Sequence, residues 1–194
     1  MDATKRERSL TRIAAAAAAG ETERLDRELR AAVAEGLSGT DLREAILQVF
    51  LFAGFPRAIT AFERLELAHA EGAGATEEDP ADVEERGAEL FSLIYGEHTD
   101  RVLAKLERLH PDFRRMIVRD AYGRVLARPF LPVVERELMA VAMLAALEVP
   151  KPLGAHIRGA KTVGATTDQI LAALDAAEGI AAPESLERAR QVAG

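Results

Sequence analysis

The sequence contains no cysteine and no tryptophan, and only 2 tyrosines in 194 residues. Without thiols the chain makes no disulfide, builds no zinc-thiolate site and has no thiol nucleophile or redox pair. Any chemistry therefore falls to histidine, carboxylates, arginine or hydroxyls. Long apolar runs are also lacking: Ile13 to Ala19 and Val49 to Phe55 are the longest, far short of the roughly 20 residues that cross a bilayer. The basic start MDATKRERSL leads into an alanine run and then GETERLDRE, without the cleavage pattern of a secretory signal. The net charge is −7 and the pI about 5.2. That balance argues against nucleic acid as a partner, because phosphate binding needs clustered Lys and Arg. The expectation from these absences is a cytoplasmic protein that engages neither nucleic acid nor membrane.

What is present is alanine, leucine, glutamate and arginine, the strongest helix formers, with β-branched residues scattered rather than alternating. The fold class read from this is all-α. Helices are expected over 5–19, 21–35, 38–52, 57–69, 84–95, 97–108, 111–127, 132–148, 153–163, 167–178 and 183–192. Gly20 and Gly36 serve as stops, and Pro56 and Pro183 as first-turn residues. The stretch AEGAGATEEDPADVEE combines small residues, a proline and a block of acids, the composition of a linker. The organisation expected is an N-terminal partial repeat at 1–70, an acidic linker at 71–85 and a second domain at 86–194. The apolar Val49 to Phe55 segment is expected to be buried in the core or at a subunit interface.

An internal repeat underlies that division. Sliding residues 5–45 forward by 128 positions aligns them with 133–173 without a gap. Glu7 falls on Glu135, Arg8 on Arg136, Leu10 on Leu138, Leu25 on Leu153, Arg30 on Arg158 and Gly36 on Gly164. Pro56 meets Pro183 after a one-residue adjustment.

Three segments, Glu135-Arg-Glu-Leu138, Ala155-His-Ile-Arg-Gly-Ala160 and Gly164-Ala-Thr-Thr-Asp-Gln-Ile170, resemble in order and spacing the carboxymuconolactone decarboxylase family, which shares the alkylhydroperoxidase D fold. The resemblance implies a helical bundle assembling into trimers or hexamers. It puts Glu137 at the family's acid position and His156 at its histidine position. The two cysteines of the thiol-dependent branch are replaced by Val149 and Pro152. Peroxide reduction by a thiolate is thereby excluded, and a decarboxylase-like carboxy-lyase, acting on a small carboxylated lactone or cyclic acid in aromatic compound catabolism, becomes the leading expectation. A non-catalytic oligomeric binding or scaffold protein is the alternative.

Read from the residues alone, Glu137 has Val134, Val141 and Leu144 at helical spacing, and His156 has Leu153, Ile157 and Ala160, so both lie near apolar faces. Whether they meet depends on the tilt of their helices, and pairing of Glu137 with Arg136 or Arg158 is the structural alternative. Arg136 and Arg158 are candidates to anchor substrate carboxylates by bidentate contacts, and Tyr122 to line a pocket. Arg158 lies about 200° around its helix from His156. No two histidines have the i, i+4 spacing of a metal pair, so neither a metal nor a cofactor is expected. In the repeat register Glu137 corresponds to Ser9 and His156 to Glu28, which predicts one site per chain.

Overall fold

Runs of alanine and leucine interrupted by glycine give helices throughout the computed structural model, which describes residues 3–69 and 82–194; no strand occurs among the described residues. Most of the expected acidic linker, residues 70–81, lies outside them. In order, the helices are α1 Ala3–Ala19, α2 Thr22–Ala34, α3 Gly39–Ala68, α4 Val83–Tyr95, α5 Thr99–Leu109, α6 Pro111–Arg115, α7 Val133–Ala146, α8 Pro150–Thr162, α9 Thr167–Asp175 and α10 Pro183–Ala193. A 3₁₀ turn, Gly96–His98, precedes α5, and α6 runs on as a π-helical stretch, Met116–Leu126. The single helix expected over 111–127 therefore changes hydrogen-bonding pattern after its first turn.

The two helices expected at 38–52 and 57–69 are continuous in α3 except at Gly54, whose φ of 78° and ψ of 170° break the helix into two arms. By length and mean hydropathy α3 is apolar enough to cross a membrane, yet neither arm reaches the roughly 20 residues required.

Packing divides the chain into two compact units: residues 1–75 with 130–194, and residues 76–129. The division expected at residue 86 falls inside the smaller unit, whose residues 86–129 precede the second copy of the repeat at 133–173 and cluster among themselves. In that smaller unit α4 packs on the π-helical stretch, with Phe91, Tyr95 and Tyr122 in mutual ring contact.

In the larger unit α1 and α7 pack against each other at the centre. Leu10 and Ile13 to Ala18 of α1 are buried, as are all residues of α7 from Glu135 to Ala146. Their alanines explain this, since interaxial distance is set by the side chains at the contact. These two helices are equivalent under the 128-residue shift, and so are the features around them. Ser38 and Thr166 each cap a helix through a capping box, with Asp41 and Gln169 reciprocating. Gly36 and Gly164 adopt φ of 90° and 98°. Gly20 and Glu148, also 128 apart, both adopt positive φ, and Glu148 is the one non-glycine residue to do so among those described. The shift holds through the last helix without the expected one-residue adjustment. Ala58, Ala61 and Leu65 are buried in the second arm of α3, and Leu186, Ala189 and Ala193 are buried in α10.

The two copies of the repeat are tied by polar contacts. Gln169 Nε2 donates to Glu7 at 2.9 and 3.0 Å. In the opposite sense Arg6 bridges Glu135, Nε to Oε1 at 2.8 Å, and Asp41 at 2.8 Å. Burial opposes the ionised form of Asp41, but hydrogen bonds from Arg6 and Ser38 outweigh it and hold its carboxyl below the usual range. Its folded pKa being depressed, Asp41 contributes stability above the unfolded carboxylate value of about 3.9, lost as pH falls through the folded value. Asp41→Asn is thus expected to lower stability at pH 7 and to flatten the acid limb of a melting-temperature profile below pH 4. An acid limb as steep as in the parent would show that Arg6 does not stabilise this carboxylate.

Candidate active site

Glu137 lies in the second turn of α7 and is buried because α7 is surrounded. His156 sits on α8, which packs on α7, and the helices are oriented so that His156 Nδ1 is 2.9 Å from Glu137 Oε2. The contact left open by sequence reasoning is therefore made. The Glu137 side chain is 1% exposed and that of His156 12%, so the carboxyl is buried and the imidazole beside it is partly open. With Nδ1 committed to the carboxyl, the second nitrogen, Nε2, is left for exchange with another group. Phe52 of α3 fixes the ring from the side in an edge-on contact, centroids 5.4 Å apart and planes at 71°. Val149 and Pro152 stand seven and four residues before His156, on the same side of α8.

The first repeat has no such pair. Ser9 donates to Glu35 at 2.9 Å, and Glu28 stands where the imidazole would be.

The arginines stand elsewhere than expected for substrate anchors. Arg136 is 1% exposed and its Nη2 donates to Glu44 Oε2 at 2.8 Å in the core, so it does not present its fork to a ligand. Arg158 is exposed on another face of α8. Tyr122 belongs to the smaller unit, where its hydroxyl donates to Tyr95 at 3.3 Å.

Sequence reasoning missed three residues of the first repeat, Glu44, Gln48 and Phe52. They occur at i, i+4 and i+8 on α3 and so share one face. Glu44 pairs with Arg136. Gln48 Nε2 donates to the Arg136 carbonyl at 2.8 Å, one residue before Glu137. Phe52 reaches His156. Glu44 and Gln48 are both buried, an expensive placement unless paired. The register offered a signal: 128 positions on, these three are Ala172, Ala176 and Ile180, so the polar residues occur on one side only.

The carboxymuconolactone decarboxylase family model matches residues 2–67 and 111–194. The chain belongs to this family. Residues 68–110, left unmatched, fall largely in the smaller unit. The chain is 32% identical over 138 residues to "Peroxisomal protein 2" of Schizosaccharomyces pombe, covering 68% of this chain and 64% of that protein. It is also 36% identical over 86 residues to "4-carboxymuconolactone decarboxylase" of Acinetobacter baylyi, covering 44% of this chain and 64% of that protein. The matches thus span less than two thirds of either relative.

Proposed function

We propose that this family member is a carboxy-lyase acting on a small carboxylated lactone or cyclic acid, with His156 as the proton-transferring group and Glu137 as the residue that holds it. The observation carrying this reading is the 2.9 Å contact between a buried carboxyl and a partly open imidazole. The family and the A. baylyi relative support the reaction class.

In such a reaction the bond from the ring carbon to the carboxylate breaks and CO2 leaves. The electron pair passes through the conjugated system onto the lactone carbonyl oxygen, giving a dienolate. Its charge is lowered by a donated hydrogen bond, and a proton is then delivered to carbon. Protonated at both nitrogens, His156 donates from Nε2 while Glu137 stabilises the imidazolium through Nδ1. After transfer the pair regains its proton from water. Purified protein is expected to consume 4-carboxymuconolactone, followed by its ultraviolet absorbance. A flat trace at high protein concentration would remove the reading.

A second reading, a non-catalytic oligomeric scaffold, is favoured by one observation. Of the apolar segment expected to be covered, only Val49 is fully buried, while Phe55 is 68% exposed and stacks on Phe50 at 5.0 Å. An aromatic pair with one ring this exposed fits self-association, and we propose a trimer or hexamer on either reading. Light scattering is expected to report one of these and Phe55→Asp to shift it toward monomer; a monomeric parent at micromolar concentration would refute the assembly.

A further inference from the structure

The internal repeat provides a control for every surface feature of the larger unit, and one cleft fails to repeat. It lies between the end of α7, α8 and α10, has a volume of about 180 Å³, and is floored by Ala145, Leu153, Ile157, Leu186 and Ala189, all buried. His156 faces Glu137 and Phe52, so the cleft occupies a different face of α8.

At the equivalent place in the first repeat the space is filled. Asp26 of α2 and Arg64 of α3 form an ion pair across it. The Arg57 guanidinium lies over Gly20, in the space a Cβ there would need. In the 128-residue register Asp26, Arg64 and Arg57 become Gly154, Val192 and Ser185, all three lining the cleft. Large charged side chains have been exchanged for small or apolar ones at three positions of one wall, while the floor stays aliphatic: Leu25, Leu29 and Ala61 become Leu153, Ile157 and Ala189. A Cβ on Gly154 would meet nothing nearer than Arg158 Nη1 at 3.6 Å, so the space there is open.

We infer that this cleft is a second binding site, for a small monocarboxylate with an apolar ring or branched chain. The volume suits it, since an apolar cavity of about 150 Å³ takes up benzene. The charge at the mouth suits it as well. Arg188 lines the cleft and donates to Ser185 Oγ at 3.0 Å, with no ion pair among the described residues. The one acid at the rim, Glu148, has its Oε1 turned to the Ala182 amide at 3.3 Å. A carboxylate entering apolar end first would meet the Arg188 guanidinium, the geometry for a charge-assisted hydrogen bond. This inference is independent of the proposed lyase activity.

Benzoate is the probe, titrated while the methyl resonances of Leu153, Ile157 and Leu186 are followed by NMR. Saturable shifts at these methyls are expected, weak as suits a ligand of this size. Arg188→Gln is expected to loosen binding about tenfold, the value of one charge-assisted contact. The double change Gly154→Asp with Val192→Arg rebuilds the first repeat's ion pair in the cleft and is expected to abolish the shifts. Gly154→Leu serves as a second filling variant if that pair does not fold. His156→Ala is expected to bind benzoate as the parent does. Absence of shifts, shifts that persist in a folded filling variant, unchanged affinity in Arg188→Gln, or loss of binding in His156→Ala would each overturn the inference.

Discussion

His156→Ala is expected to lower the rate of 4-carboxymuconolactone decarboxylation by about 10² or more, the usual contribution of a positioned proton donor, with the helical circular-dichroism signal unchanged. The residue is partly open and its loss creates no deep cavity, so activity and fold are separable at this position. Glu137→Gln tests the other half of the pair. The amide preserves shape but cannot stabilise an imidazolium, so kcat is expected to fall while KM stays, and the pH profile of kcat to change form. A merely structural Glu137 would leave that profile alone. Full activity in either variant would assign that residue to packing.

The largest effect on stability is expected at Glu44. Its carboxylate and the Arg136 guanidinium are both removed from water and meet at 2.8 Å. Removing one member leaves the other charge buried, which costs about 3–5 kcal/mol. For a chain of this size Glu44→Leu should then lower the melting temperature by roughly 10 °C. Replacing both members, Glu44→Leu with Arg136→Met, is expected to recover much of the loss, because apolar residues of similar volume often substitute for a buried pair without penalty. Calorimetry of the two variants checks this. A single variant that melts like the parent would show that Glu44 is not ionised against Arg136.

The repeat was the most legible feature of the sequence, because matched Glu, Arg, Leu and Gly positions keep one register, and the caps and glycines found in the structure keep it too. Gly36 and Gly164, Ser38 and Thr166, Asp41 and Gln169 perform the same tasks in both copies. Glu137 and His156 were found through the family's spacing, but their contact depends on how α8 crosses α7, which no local pattern encodes. The same limit explains Arg136. Its sequence marks it as a candidate carboxylate anchor or a partner for Glu137, and only the central position of α7 turns it inward to Glu44. Glu44 and Gln48 were passed over because each looks ordinary within one helix; their burial becomes visible only once α3 is placed against α7. The smaller unit was not legible in the sequence for another reason. Residues 86–129 carry helix patterns like those on either side, and packing alone separates them.

The central claim is that the Glu137–His156 pair drives loss of CO2 from a carboxylated lactone. Release of labelled CO2 from carboxyl-labelled 4-carboxymuconolactone, with protein in excess of substrate, tests it most directly. The account predicts stoichiometric release by the parent and release slowed by about 10² or more in His156→Ala. Intact lactone after prolonged incubation with the parent, or equal rates in the two proteins, would contradict it.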